Sequence, residues 1–170
     1  MRREQGHVRK DITVKNLPSE IVHFLQNQNY LIVSTVDQNG DLHAACKGLV
    51  EIDQNGTVYL LDLYRGRTYQ NLVRNPHISI TAVDEHKFRG YSCIGTAAIM
   101  PAEALKPHTI KAWEDKITSR ITQRVIRNIT QSGGHPRHPE AQLPKPAYMI
   151  AAQIHEIIDL TPHHLRTPGT

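Results

Sequence analysis

Tyr30-Leu-Ile-Val-Ser-Thr-Val-Asp-Gln-Asn-Gly-Asp-Leu-His-Ala-Ala-Cys-Lys-Gly-Leu-Val-Glu-Ile-Asp-Gln-Asn-Gly-Thr-Val-Tyr-Leu-Leu-Asp-Leu63 is the stretch that decides the fold. Tyr30 to Val36 is rich in β-branched residues and runs into Asp37-Gln-Asn-Gly-Asp41, whose Asn39-Gly40 pair suits a type I′ hairpin turn. The strand that leaves, from about Leu42 to Ile52, meets a second such turn at Asp53-Gln-Asn-Gly56, and Thr57 to Leu63 reads as a third strand. Two Asn-Gly turns one strand length apart predict a three-stranded antiparallel meander.

Working outward, Pro18-Ser19-Glu20 leads into Ile21, Val22, Phe24 and Leu25, which predicts a short helix over Ser19 to Gln28. After the meander, Thr68 is placed to cap a helix of at most two turns from Tyr69 to Arg74, stopping before Pro76. His77 to Val83 alternates as a half-buried strand, and a polar turn leads into a fifth strand over Phe88 to Met100. Between Ala102 and Thr130, Ile110, Trp113, Ile117, Ile121, Val125 and Ile129 recur at three- and four-residue steps, which predicts a long amphipathic helix or helix pair. Tyr148 to Leu160 closes the series as a sixth strand. Runs of antiparallel strands with few helices indicate a small, mainly β (α+β) barrel rather than a doubly wound sheet. The chain reads as a single domain over 1–170, with 1–16 a flexible tail and 102–146 a helical and loop insertion before the last strand.

Composition narrows the function classes. At 170 residues, 39% hydrophobic and 21% charged, the chain suits one globular core. Its longest apolar runs are far shorter than the roughly 20 residues a membrane helix needs. Polar residues follow Met1-Arg2-Arg3-Glu4 where a signal peptide needs an apolar stretch, so a cytoplasmic location and reduced Cys46 and Cys93 are expected. The net charge of +4 is spread along the chain, and its densest group, Arg2, Arg3, Arg9 and Lys10, falls in the tail. That pattern is a solvated surface, with no nucleic acid and no membrane among the expected partners.

Chemistry concentrates at Arg65-Gly66-Arg67-Thr68, where a strand gives way to a helix. Guanidinium forks, a hydroxyl and the free N–H groups of a helix N-terminus make an anion cradle, and Gly66 lets a ligand approach the backbone. The competing reading is a solvated basic turn with a capping threonine, and spacing alone does not separate the two.

The stretch Leu31 to Gly48 resembles the first hairpin of pyridoxamine 5'-phosphate oxidase-like flavoproteins. Arg65-Gly-Arg-Thr-Tyr-Gln-Asn-Leu-Val-Arg-Asn-Pro76 resembles their phosphate segment, and Gly95-Thr96-Ala97 resembles their G-x-A. The likeness runs from about Leu17 to Pro101, with an echo in Tyr148 to Leu160. It implies a six-stranded antiparallel split β-barrel with flanking helices, FMN as cofactor, and a homodimer with FMN at the subunit interface. Position by position, it makes Arg67 and Thr68 phosphate ligands, Arg65 an addition, and Asn71 a contact or a local brace. Ala45, Cys46, Lys47 and Gly48 match the strand along which the isoalloxazine ring lies. A cation at Lys47 near the pyrimidine edge would favour reduced flavin, whereas an outward-pointing surface lysine would do nothing of the kind. The implied activity is an oxidoreductase passing electrons or hydride between small molecules, with catalytic residues unassigned. The alternatives are a non-catalytic flavin carrier and a relative holding a deazaflavin or haem. The C-terminus, Ile158 to Thr170, lacks the arginine- and tryptophan-containing end that serves the vitamin in true pyridoxamine phosphate oxidases, which argues against vitamin B6 oxidation.

Other chemistries find less support. His135, His138, His163 and His164 lack the spacing of a zinc site, so no metal is expected, and His43 beside the flavin strand is a speculative proton donor. No Gly-x-Gly-x-x-Gly follows a strand, which excludes a tight dinucleotide domain.

Overall fold

The computed structural model describes residues 11–13, 16–104, 107–108, 110–111, 114–115, 118–119 and 148–166. The elements with described bounds follow in the order β1 (Asp11–Thr13), α1 (Ser19–Gln26), β2 (Leu31–Val36), β3 (Leu42–Ile52), β4 (Thr57–Asp62), α2 (Arg67–Arg74), β5 (His77–Asp84), β6 (Arg89–Pro101) and β7 (Tyr148–Asp159). All pairings are antiparallel. β7 pairs with β4 on one side and β6 on the other, so β7-β4-β3-β2-β5-β6 closes into a six-stranded barrel.

Part of the expected N-terminal tail is corrected. β4 leaves β7 at the Thr57–Gln153 pair, and beyond it β1 takes over the same edge, Thr13 opposite Glu156 and Asp11 opposite Ile158. The unpaired N–H and C=O groups of a β7 edge give those residues a place in the sheet. The rest of the 1–16 stretch, apart from Asn16, lies outside the described residues. So do Trp113, Ile117, Ile121, Val125 and Ile129 of the expected amphipathic helix, although Ala102–Ala104 form a 3-10 turn and the described positions from 107 to 119 are helical. No helix among the described residues is long and apolar enough to cross a membrane.

Both meander turns form, but not as type I′. In each the aspartate carbonyl accepts from the glycine N–H, Gly40 to Asp37 at 3.2 Å and Gly56 to Asp53 at 3.1 Å, and only the glycine has positive φ, +88° and +78°. This is a type I turn closed by a left-handed glycine. The cause is the aspartate side chain. Asp53 Oδ1 accepts from Asn55 N–H at 2.9 Å and Thr57 N–H at 2.8 Å, and Asp37 Oδ1 does the same with Asn39 and Asp41. These bonds keep each asparagine on the negative-φ side.

The barrel interior takes alternate residues of β2 to β7. Leu31, Val33, Leu60, Ile80, Cys93 and Ile150 are fully buried, each apolar side chain contributing on the order of 2 kcal/mol by burial. Helix α1 inserts Ile21 and Leu25, while its Phe24 meets Tyr91 edge to face with centroids 5.0 Å apart. Helix α2 adds Leu72 and stops at Asn75, which is extended before Pro76.

Two irregularities set the registers. β3 shifts by one residue against β4 between Leu49 and Glu51, and β6 shifts against β7 between Ile94 and Gly95. At the second, a Cβ on Gly95 would overlap the Gln153 carbonyl oxygen and lie 2.9 Å from its carbon. The Gly-x-Ala glycine is thus explained by strand crossing alone. Gly95→Ala is expected to lose about 3 kcal/mol in urea unfolding, with the loss traceable to backbone displacement at β6–β7.

Burial works to raise the Asp53 carboxyl, but the N–H and hydroxyl of Thr57, the N–H of Asn55 and the Tyr59 hydroxyl outweigh it and hold the group below its ordinary value of 3.8. A carboxyl lowered by folding stabilises the fold above its unfolded pKa, and that contribution is lost as pH falls through the folded value. Urea midpoints should therefore drop as pH falls below about 4, and Asp53→Asn should flatten that dependence. An unchanged slope in the variant would exclude the turn carboxylate as its source.

Candidate functional site

Helix α2 begins with a strand-like residue and no cap. Gly66 stands at the N-cap with φ −85° and ψ −151°, no side chain caps the helix, and the first helical bond runs from Gln70 N–H to Gly66 O at 3.1 Å. The N–H groups of Arg67, Thr68 and Tyr69 precede that bond, which is the arrangement that favours an anion. A Cβ on Gly66 would meet no protein atom within 4 Å, so the space in front of the helix is open.

Thr68 is not the cap that the sequence pattern predicts. The helix starts two residues before the expected Tyr69, at Arg67, which places Thr68 in the first turn, where it is buried to 3% exposure. Among the described residues no group bonds its hydroxyl, and burying a hydroxyl without a partner is costly. Arg65 and Arg67 stand exposed beside it. The Arg65 guanidinium lies 5.5 Å over the Tyr69 ring, a cation–π contact that preorients it. The Asp37 carboxyl is held below its ordinary value first by the Asn39 N–H and, more weakly, by the charges of Arg67 and Arg74, which lie near this turn.

The remainder of α2 is stapled to β2. Asn71, 3% exposed, donates from Nδ2 to Thr35 Oγ1 at 3.0 Å, and Arg74 donates to the Val36 carbonyl. Asn71 therefore acts as a brace through its amide.

Along β3 the predicted ring strand divides between two faces. Ala45 and Lys47 lie opposite Val33 and Leu31, the buried row of β2, whereas Cys46 lies opposite Ile32 on the exposed face. Gly48 starts the pairing with β4, and a Cβ there would also meet no protein atom within 4 Å. The outward-pointing reading of Lys47 does not hold. Its side chain is 12% exposed, and Nζ donates to Asp62 Oδ2 at 2.5 Å.

Sequence reasoning missed Asp62, Tyr148 and Tyr69. Asp62 is 5% exposed and accepts on the same Oδ2 from the Tyr148 hydroxyl at 2.5 Å. Burial first, then this bond and the Asp62 charge, push the Tyr148 hydroxyl far above its ordinary value, so it stays protonated. Tyr148 in turn meets Tyr69 edge to face with centroids 5.0 Å apart. A continuous chain of contacts thus joins Lys47 to the arginine corner through Asp62, Tyr148, Tyr69 and Arg65. The one available sequence signal was a carboxylate inside the apolar run Val58-Tyr-Leu-Leu-Asp-Leu63.

Both cysteines are free. Burial pushes the Cys93 thiol up to about 12, which makes it inert. His43 faces the barrel side of β3 opposite Thr35 and is half-buried. Among the described residues no three His, Cys, Asp or Glu side chains gather as metal ligands. His163 and His164 lie in a short 3-10 turn, and His135 and His138 lie outside the described residues.

Comparison with known proteins places the chain in a family. Solved structures share the fold. A protein from Clostridium acetobutylicum related to general stress protein 26 of B. subtilis, of the pyridoxinephosphate oxidase family, matches with a TM-score of 0.59 at 16% identity over 87% of this chain and 89% of that one. HupZ of Group A Streptococcus matches at 0.58 and 19% identity, over 85% of this chain and 94% of its own. HutZ, a heme storage protein from Vibrio cholerae, matches at 0.50 and 21%, over 85% and 95%. At these identities the likeness is one of fold. No curated protein matches the sequence. The family model described as pyridoxamine 5'-phosphate oxidase matches residues 17–144, well over half of the 170, and spans the meander, the uncapped helix and both long strands after it. The chain belongs to the pyridoxamine 5'-phosphate oxidase family.

Proposed function

We propose that this protein binds FMN with the phosphate at the N-terminus of α2 and the ring along Ala45 to Gly48, between two copies of the chain, and serves as an oxidoreductase for small molecules. The observation that carries the reading is the buried Thr68 hydroxyl, without a partner among the described residues, beside two exposed guanidinium groups and an uncapped helix start. An orthophosphate ester offers several acceptor oxygens, which matches this donor set in charge and number. Gly66 and Gly48 fit the same reading, since neither glycine is demanded by contacts within the chain.

When bound, FMN supplies the hydride or single-electron chemistry. The residues of the chain bind and orient: Arg67 and Thr68 hold the phosphate, Arg65 adds charge, and Asn71 keeps the helix start in place by tying its second turn to Thr35. The activity is confined to electron or hydride transfer with a small-molecule donor or acceptor.

Dimer formation is supported by the outer face of β2, β3, β5 and β6. Leu42 is 81% exposed and Ile32 43%, and an open apolar groove of about 180 Å³ runs between Ser34, Val36, Leu42, His77, Ser79 and Ile94. Apolar side chains grouped on a sheet face beside small hydroxyls suit a symmetric contact with a second copy.

The absorption spectrum of the purified protein tests the cofactor. Two near-visible bands are expected, and a Soret band in their place would transfer the assignment to haem. Replacing both Arg67 and Thr68 with alanine should weaken FMN at least about 100-fold in a fluorescence titration, while the far-ultraviolet circular dichroism stays unchanged. Equal affinity would move the phosphate elsewhere. Leu42→Glu should shift the sedimentation coefficient from dimer to monomer, and a wild-type monomer would remove the interface from the scheme.

A further inference from the structure

Lys47, Asp62 and Tyr148 form a row across three strands. Asp62 pairs directly with Tyr148 in the β4–β7 ladder, and Lys47 follows in line from the Gly48–Leu61 pair of the β3–β4 ladder. Both donors meet a single oxygen, Asp62 Oδ2, each at 2.5 Å, and the Lys47 and Asp62 side chains are 12% and 6% exposed.

We infer that Asp62, braced by Tyr148, is a positioning residue that makes Lys47 half of a neutral pair, so that the charge presented at the ring strand is set by Asp62 and not by Lys47 alone. The inference rests on the FMN reading above and deepens it. An ammonium in contact with a carboxylate acts at a distance as a dipole, whose field falls off faster than that of a lone cation. Such a pair holds strongly in place because breaking it strands a buried charge. Tyr148 adds no charge of its own. It uses the oxygen that binds Lys47, which keeps the carboxylate from turning away. The edge contact of Tyr148 with Tyr69, and that of Tyr69 with Arg65, ties the same carboxylate to the phosphate corner.

Removing either partner should therefore move the flavin in opposite senses, an outcome that general loosening of the fold would not produce. Asp62→Asn keeps the shape and leaves the cation uncompensated. Reduced FMN should then gain about tenfold in affinity relative to oxidised FMN, a rise of about 30 mV for the two-electron couple. Lys47→Met removes the cation and leaves the carboxylate behind, and the midpoint should fall by a similar amount. Midpoints are read by dye equilibration on the FMN-loaded protein. Amine acylation of Lys47, followed by mass spectrometry on protein stripped of cofactor, should run about fivefold faster in Asp62→Asn than in wild type.

Opposite shifts with faster acylation support the inference. Equal midpoints in wild type and both variants overturn it, as does a shift of the same sign in both. Should Asp62→Asn fail to fold, the Lys47→Met midpoint decides alone, an unchanged value overturning the inference. A wild-type protein that takes up no FMN defeats the FMN reading instead. In that event equal acylation of Lys47 in wild type and Asp62→Asn also removes the hold of Asp62 on Lys47, while faster acylation in the variant retains it.

Discussion

The molecule depends on β7 having partners along both edges. Without it, β4 and β6 would each present a row of open backbone donors and acceptors, and the interior of the meander would face solvent. With it, Ile150, Ala152 and Ile154 enter the same core as Leu31, Val33 and Ile80, and the sheet has no gap between its first and last members. Closure has a steric condition, met by Gly95 where β6 shifts its register against β7. It also sets an electrostatic one: the first residue of β7, Tyr148, lands beside Asp62 at the end of β4.

Helix α2 gains its chemistry from being held by one end. Its second turn is anchored by Leu72 in the core, by the Asn71 amide on Thr35 and by Arg74 on the Val36 carbonyl. Its first turn carries no side-chain cap, the exposed Arg67 and the buried Thr68, with the exposed Arg65 just ahead of it. A helix start left free in this way would fray in isolation, since two turns are too short to persist alone in water. Anchoring from behind keeps the N–H groups aligned while leaving the space ahead of them open.

Charge is handled differently at the two ends of the site. The arginines remain solvated and available, as anion capture requires. The lysine on the adjacent strand is paired, buried and bonded to a carboxylate that a tyrosine also grips. Buried pairs of this kind contribute little net stability compared with apolar replacements, so their value lies in what they fix in place. Here they fix a lysine that is buried and paired where an unpaired one would present a cation.

The barrel class, the positions of β2 to β7 and the location of α2 were legible in the sequence, because alternation, turn residues and the stop before Pro76 act over a few neighbouring residues. Arg65, Gly66, Arg67 and Thr68 were legible as a basic group at a strand-to-helix junction for the same reason. Thr68 as a cap was not borne out, since the helix start is settled by how deep α2 sits against β2. The type I′ turns failed because the Asp37 and Asp53 carboxylates compete locally for the turn N–H groups. What only the tertiary structure decided is register. Carried straight from the Asp53 turn, the hairpin would set Asp62 opposite Gly48 and turn it away from Lys47. The irregularity between Leu49 and Glu51 moves it by one residue and brings both charges to one face, while the β4–β7 ladder sets Tyr148, 86 residues further along the chain, directly opposite Asp62. A side-chain period of two makes one residue enough, and nothing within a single strand encodes where such a shift will fall.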